Sequence, residues 1–181
     1  MTRRRLYIAA VNNRYGQNVF LPLAAGLMWG YARRVPHVAD DWTVPPGGLL
    51  YLKEATGAAL DRVEAPDVVA FSSYIWNHEW NRALARAVKA RFPRCVTIAG
   101  GIQVRDGKPD VLRSSPEFDC AVYGEGEGAF ADTLAALSSD EPLATVPSLI
   151  WRREDGEVVV NQRHGEVPIE TIPSPYLDGV F

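Results

Sequence analysis

Two short loops carry the residues of this 181-residue chain that are best suited to binding a ligand. The first is Ser72-Ser73-Tyr74-Ile75-Trp76-Asn77, which combines two hydroxyls, an indole and a helix-capping amide after the apolar run at 68–71. The second is Gly100-Gly101, which also follows an apolar run. Strand-end hydroxyls can bond a polar ligand, and paired glycines let a ligand lie against the backbone. Together the loops predict a cleft for a large, flat, partly apolar ligand.

Each loop taken alone is also consistent with an ordinary turn between a strand and a helix. Serine and glycine are common in turns for purely local reasons, because both residues suit turn geometry. Their occurrence after two neighbouring strands of one predicted sheet favours a shared binding site.

The apolar pattern predicts strands that alternate with helices. The strands are expected at residues 6–11, 38–44, 68–71, 95–99 and 120–123. The helices are expected at residues 18–31 (capped by Asn18), 49–63, 78–92 and 110–114, and a last helix is marked by Phe130, Leu134 and Leu137. This alternation predicts a flavodoxin-like, doubly wound α/β fold, with a five-stranded parallel sheet covered on both faces.

Such a sheet binds ligands at the carboxyl ends of its strands, beside the switch point between the first and third strands. The loops at 12–18, 72–77 and 100–103 should meet there, and the loop at 124–128 should lie further along the same edge. Asn12 and Asn13 in the first loop are candidates to hydrogen-bond ligand amides, and they are equally suited to a solvated turn.

The pattern changes after residue 147. Residues 149–153 and 157–161 flank Asp155-Gly156, which is typical of a β-hairpin. Two prolines in residues 172–177 predict an extended linker. We therefore expect one domain over residues 1–147, followed over 148–181 by the hairpin and a linker that leads to a further domain of a longer protein.

Composition excludes several classes of function. A net charge of −3 gives no footprint for nucleic acid, and no apolar run is long enough to span a membrane. A cytoplasmic protein is therefore expected. Cys95 and Cys120 lack paired spacing and ligand spacing, so we expect buried free thiols and no metal site.

The chain resembles the N-terminal domain of cobalamin-dependent radical SAM enzymes. The similar stretches are residues 71–77, 99–103, 123–127 and 173–177. Cobalamin-binding Rossmann-like domains carry an Asp-x-His-x-x-Gly loop, a Ser-x-Leu and a Gly-Gly. Ser73-Tyr74-Ile75 is similar to the second and Gly100-Gly101 matches the third, whereas the loop at 12–16 lacks the histidine of the first.

The resemblance implies a cofactor domain that binds cobalamin base-off, without a histidine ligand from the first loop. The complete enzyme would be a radical SAM methyltransferase acting on a small-molecule carbon centre, with carbapenem biosynthesis as the nearest subgroup. The Cys-x-x-x-Cys-x-x-Cys motif is absent here, so S-adenosylmethionine and a [4Fe-4S] cluster would bind in a downstream radical SAM domain of the same polypeptide. No catalytic residue is expected in this chain.

Three loops and the first-strand end supply the expected cofactor-binding residues. They are Asn12, Asn13, Tyr15, Ser72, Ser73, Tyr74, Ile75, Trp76, Asn77, Gly100, Gly101, Ile102, Gln103, Gly124, Glu125 and Gly126.

Trp76 is the residue of greatest mechanistic interest among them. Its indole is placed to cover the lower face of a corrin without ligating cobalt, or to pack against the downstream domain. His78 is an alternative cobalt ligand, but its position just inside a helix favours a surface role.

Two other functions stay open at the level of the sequence. A cofactor-free regulatory or interaction module would usually need an acidic cluster after the first strand, where this chain has Asn12-Asn13. A nucleotide-binding domain is disfavoured because the Gly-x-Gly-x-Gly run at 124–128 follows the last strand and carries two glutamates that would repel a pyrophosphate.

Overall fold

The computed structural model describes residues 3–14, 16–139, 141–163 and 165–181. Its centre is one sheet whose four parallel inner strands lie in the order β1, β4, β5, β6. Strands β2 and β3 pair with different halves of β1 at one edge, and β7 and β8 continue the sheet antiparallel to β6 at the other. The strands are β1 (Arg4–Asn12), β2 (Trp42–Thr43), β3 (Leu49–Leu52), β4 (Val68–Ser72), β5 (Val96–Gly100), β6 (Cys120–Val122), β7 (Leu149–Arg152) and β8 (Val158–Val160).

Helices cover both faces of the sheet. On one face lie α1 (Leu23–Ala32), α2 (Pro36–Asp41) and α6 (Gly126–Ser139), and on the other lie α3 (Thr56–Asp61), α4 (His78–Arg91) and α5 (Asp110–Ser114). Short 3-10 turns occupy Leu143–Thr145 and Ile169–Thr171. The predicted doubly wound α/β class is confirmed. Within the described residues no helix is long and apolar enough to cross a membrane.

Strand β1 shows why the sheet must be covered twice. Leu6 and Ile8 belong to the apolar cluster under α1 and α6, and Tyr7 and Ala9 belong to the cluster under α3 and α4. A strand that is apolar on both sides is stable only between two layers of helices.

The second predicted strand, at residues 38–44, is largely wrong. Residues 36–41 form helix α2, and only Trp42 and Thr43 join the sheet. Pro36 suits the first turn of a helix, because an N–H at this position would have no hydrogen-bond partner within the helix. The Trp42 indole is buried, and its N–H donates to the Leu134 carbonyl oxygen at 3.0 Å.

The predicted helix at 49–63 is also wrong in its first third. Residues 49–52 form strand β3, which pairs with the carboxyl half of β1, and the helix begins only at Thr56. A short apolar run suits either a strand or a buried helix, so its pattern alone does not decide between them.

Helix α1 begins later than predicted. It starts at Leu23 with Pro22 at the N-cap position, and Asn18 lies well before it. The Asp155-Gly156 hairpin is confirmed by the antiparallel pairing of β7 with β8.

Residues 173–181, which we call the tail, do not form an extended linker. They fold back onto α1, where Gly26 and Gly30 leave room for them. A Cβ atom on Gly26 would lie 2.8 Å from the Cβ of Pro175, and one on Gly30 would lie 3.3 Å from the Cγ of Pro173. Arg34, which lies just beyond the end of α1, fixes the tail through its Nη2, which donates to Asp178 Oδ1 at 2.7 Å.

Candidate functional site

A buried amide ties together the loops at the carboxyl edge of the sheet. The side-chain nitrogen of Asn77 donates to the carbonyl oxygens of Val11 and Ser72, both at 3.0 Å. Its Oδ1 accepts from the Tyr74 amide at 2.8 Å. Asn77 occupies the N-cap position of α4, as predicted, but its side chain makes no capping bond to the helix. It holds the ends of β1 and β4 side by side instead.

The loops after β4 and β5 are in direct backbone contact. The Ser73 amide donates to the Gly100 carbonyl oxygen at 2.7 Å, and the Gln103 amide donates to the Ser73 carbonyl oxygen at 3.2 Å. Gly101 has a φ of +88°, and a Cβ there would lie 2.9 Å from the Ser73 oxygen. Only glycine meets both conditions without strain.

Ser73 itself faces away from the edge. Its side chain is buried, and its hydroxyl accepts from Asn81 Nδ2 of α4 at 3.1 Å. Ser72 at the end of β4, and not Ser73, supplies a hydroxyl to the space above the sheet.

That space is a cleft of about 290 Å³ between the sheet and helices α1 and α6. Its mouth is formed by Ser72, Tyr74, Gly100, Gly101, Gly124, Gly126 and Glu127. Its floor consists of buried apolar residues of the sheet, namely Ile8, Ala70, Ile98 and Val122, and buried Ala25 of α1 and Phe130 of α6 line its walls. A Cβ on Gly100 would come no closer than 3.9 Å to its nearest protein neighbour, so packing within the protein does not require this glycine. Its absent side chain leaves room in the cleft.

A second cavity of about 250 Å³ adjoins the cleft and shares Ala24, Ser72 and Tyr74 with it. Asn12 and Trp76 line it. The Trp76 ring is 43% exposed and stacks on Tyr74, with centroids 4.6 Å apart and an interplanar angle of 11°.

Two further side chains of the predicted set stand out from this edge. Ile75 is 82% exposed and Ile102 is 73% exposed. With the stacked pair of Tyr74 and Trp76 they form an apolar rim beside the two cavities. Such a concentration of exposed apolar groups is typical of a surface that covers a ligand or a partner.

The remaining predicted residues divide between the cleft and its surroundings. Gly124 and Gly126 line the cleft. Asn13 lines neither cavity, and its Oδ1 accepts from Lys53 Nζ at 3.4 Å. Gln103 lines a separate polar cavity, and Glu125 accepts from the Val167 amide at 3.1 Å. Tyr15 lies outside the described residues.

Sequence reasoning missed the helix that forms one wall of the cleft. Ala24, Ala25, Leu27 and Met28 of α1 line it. The Met28 sulfur would lie 2.9 Å from a Cβ on Gly126, so this glycine makes space for Met28. The order of the elements could have predicted this wall, because a helix that follows the first strand of a doubly wound sheet packs near the switch point. Lys53 was also missed, and its Nζ donates to the Trp76 carbonyl oxygen at 3.2 Å.

No described histidine lines either the cleft or the second cavity. His78 opens α4 and lines the separate polar cavity with Arg105 and Lys108. The groups His, Cys, Asp and Glu form no metal-binding cluster over the ranges that the structure covers. Cys95 and Cys120 are free and buried, as predicted. Burial raises the pKa of Cys95 to about 12 and also raises the pKa of Cys120, so both thiols stay protonated at neutral pH.

A comparison with protein families decides what kind of domain carries this cleft. The model of the B12 binding domain matches residues 44–134, from the end of the second-strand region through most of α6. The chain belongs to the B12-binding domain family. This membership confirms the expectation of a cobalamin domain over the regulatory and nucleotide-binding alternatives.

Two curated relatives of this B12-binding domain are methyltransferases. It is 35% identical to the cobalamin-dependent radical SAM methyltransferase TokK of Streptomyces tokunonensis, over 98% of this chain and 25% of that protein. It is 38% identical to the 2-(S-pantetheinyl)-carbapenam-3-carboxylate methyltransferase of Streptantibioticus cattleyicolor, over 90% of this chain and 24% of that protein. The chain thus spans about a quarter of the length of these relatives.

Solved structures confirm the fold of this B12-binding domain. The cobalamin-dependent S-adenosylmethionine radical enzyme OxsB, with aqua-cobalamin and S-adenosylmethionine bound, matches with a TM-score of 0.74 and 16% identity over 98% of this chain and 25% of OxsB. The radical S-adenosylmethionine methyltransferase TsrM from Kitasatospora setae, with cobalamin and a [4Fe-4S] cluster bound, matches with a TM-score of 0.63 and 16% identity over 90% of this chain and 31% of TsrM.

Proposed function

We propose that this domain binds cobalamin base-off at the carboxyl edge of its sheet, as the cofactor domain of a radical SAM methyltransferase that acts on a carbon centre of a small molecule. The observation that carries the proposal is the cleft beside Gly100, which opens next to the apolar rim around Trp76. Family membership supplies the identity of the cofactor.

The size of the cleft indicates which part of the cofactor it holds. Its volume of about 290 Å³ lies at the lower end of the range of roughly 300–1,000 Å³ that is usual for pockets of drug-sized ligands. It suits the nucleotide tail of cobalamin rather than the macrocycle. The exposed side chains of Ile75, Trp76 and Ile102 would hold the corrin by apolar contact.

The edge also provides polar groups for the parts of the cofactor that need them. Ser72 lines both the cleft and the second cavity, and Asn12 lines the second cavity. The Ser72 hydroxyl is placed to hydrogen-bond the tail, and the Asn12 amide is placed to bond side-chain amides of the corrin. Both contacts orient the cofactor without ligating its metal.

Trp76 is proposed to cover the lower face of the corrin. A flat indole held by stacking on Tyr74 offers contact area but no lone pair for cobalt. No described histidine lines the two cavities, which supports binding without an imidazole ligand. Cobalamin when bound supplies methyl-transfer chemistry at cobalt, and the protein supplies orientation and surroundings.

The partner of this domain is proposed to be a radical SAM domain of the same polypeptide. The relatives are about four times as long as the matched region, and TokK is a cobalamin-dependent radical SAM methyltransferase. S-adenosylmethionine and the [4Fe-4S] cluster would bind in that domain, and the small-molecule substrate would be held against the exposed face of the cofactor.

Reconstitution with hydroxocobalamin, followed by desalting and a visible spectrum, tests the proposal. The chain should retain the cofactor, and a protein that stays colourless would contradict the proposal. Gly100→Val should weaken retention about tenfold or more, because its side chain occupies the cleft. Its melting temperature should change little, since the backbone leaves room for a Cβ.

Two glycine variants control this experiment. Gly57→Val places the same side chain at an exposed position of α3, where nothing lies within 4 Å of a Cβ, and it should leave cofactor retention unchanged. Gly101→Ala should instead lower the stability of the fold by about 1–3 kcal/mol, because it forces a side chain onto a φ of +88°.

A further inference from the structure

The inner part of the cleft differs chemically from its mouth. Six of its lining residues belong to the apolar cluster under α1 and α6 and are at most 6% exposed: Ile8, Ala25, Ala70, Ile98, Val122 and Phe130. Among the described residues that line the cleft, only Ser72, Tyr74 and Glu127 have polar side chains, and all three lie at the mouth.

The backbone polar groups of the inner cleft are also already hydrogen-bonded, because they belong to paired strands. Ile8 and Ala70 are register partners in the parallel pairing of β1 with β4, and Ala70 is a register partner of Ile98 in the pairing of β4 with β5. Amide and carbonyl groups of paired strands bond to one another and point along the sheet rather than out of its face. A group that enters the inner cleft therefore meets carbon atoms and finds few hydrogen-bond partners.

We infer that this inner cleft selects among cobamides by their lower base, accepting a dimethylbenzimidazole and discriminating against a purine. The inference rests on the proposed function and adds to it the class of cofactor. Dimethylbenzimidazole presents two methyl groups, an aromatic edge and a single free ring nitrogen. Adenine presents an exocyclic amine and several ring nitrogens, which would lose water without gaining partners, and unpaired buried polar groups are costly.

The test measures equilibrium binding of three corrinoids to the chain by dialysis and absorbance. They are hydroxocobalamin, the cobamide with adenine as its lower base, and cobinamide, which lacks the nucleotide. We expect the adenine form to bind about tenfold or more weakly than hydroxocobalamin, as one unpaired buried group predicts. Cobinamide should also bind more weakly, because nothing of it fills the cleft.

Each other outcome overturns a different statement. Equal binding of the adenine and dimethylbenzimidazole forms, both tighter than cobinamide, would overturn the selectivity while leaving the proposed function intact. Binding of cobinamide as tight as that of hydroxocobalamin would show that the tail does not use the cleft, and it would overturn the inference. Absence of binding by all three would overturn the proposed function itself.

Two matched substitutions locate the effect in the cleft. Val122→Thr adds a hydroxyl to the cleft floor with almost no change of shape, and it should narrow the preference for dimethylbenzimidazole roughly 2- to 10-fold, the worth of one hydrogen bond. Val69→Thr makes the same change on the opposite face of the sheet, at an equally buried position, and should leave the preference unchanged. An equal change of preference in both variants would contradict the inference.

Melting curves establish that both variants are folded before their preferences are compared. Ala70→Ser offers a second hydroxyl on the cleft floor should Val122→Thr fail to fold, and the same narrowing is expected of it. An unchanged preference in the folded variant would overturn the inference.

Discussion

Single residues at the carboxyl edge have two separate roles. Ser73, Asn77 and Gly101 hold the loops together, through buried hydrogen bonds and a close backbone approach. Ser72 and Gly100 face the cleft. Changes to the first group should act on the fold, and changes to the second should act on cofactor binding.

Trp76→Ala tests the proposed cover of the corrin. The ring is 43% exposed, so its loss should leave the domain folded. The visible spectrum of bound hydroxocobalamin should change, because water gains access to the lower face. Trp76→Phe should keep most of the wild-type spectrum, since it retains an aromatic ring. Ile169→Ala, which removes an apolar side chain that is 83% exposed and lines neither cavity, serves as the control. An unchanged spectrum in Trp76→Ala, together with altered docking of the catalytic domain, would favour the interface interpretation.

The sequence predicted which loops form the edge but not the direction of each side chain. Ser72 and Ser73 are adjacent and chemically identical, yet their side chains point to opposite faces of the sheet. The Ser73 hydroxyl accepts a hydrogen bond from Asn81 of α4, and no pattern in the sequence predicts that pairing. Contacts between distant segments, such as that of Lys53 with Trp76, were equally invisible.

Helix α1 is the element that joins the cofactor site to the tail. Met28 and its neighbours line the cleft, while Gly26 and Gly30 receive the tail on another side of the same helix. Hydrogen bonds from Arg34 and Arg33 hold the pKa of Asp178 below its usual range. A carboxyl with a lowered folded-state pKa stabilises the docked tail above its unfolded pKa, and this contribution is lost as the pH falls through the folded value.

Acidification should therefore loosen the tail from α1. The amide NMR signals of Gly26 and Gly30 should shift as the pH falls through the range in which Asp178 is protonated. In Asp178→Asn the tail should be loosened already at neutral pH, and that titration should disappear. An identical acid titration in Asp178→Asn would show that another group controls the contact.

The predicted boundaries of helices and strands were wrong where the apolar runs were short. Residues 49–52 suited a helix or a strand on pattern alone, and pairing with β1 decided for the strand. The prolines of the tail suggested an extended spacer, but the glycines of α1 offered a surface on which the segment packs. In both cases a tertiary contact overrode a local preference.

At the scale of the whole molecule, the alternation of strands and helices was enough to predict the doubly wound class. The sheet is larger than predicted, because the hairpin joins it beside β6. The division at residue 147 remains a prediction, since the hairpin continues the sheet. The sequence predicted the edge of the sheet that carries the site most clearly. The strands are apolar enough to be placed in the core, and the polar loop residues follow directly after them.

A crystal structure of the chain with hydroxocobalamin tests the central claim most directly. The account predicts the nucleotide tail in the cleft against Gly100, and the Trp76 ring beneath the corrin. A structure in which the protein's own side chains fill that cleft, with the corrin bound elsewhere and Trp76 turned away from it, would contradict the account.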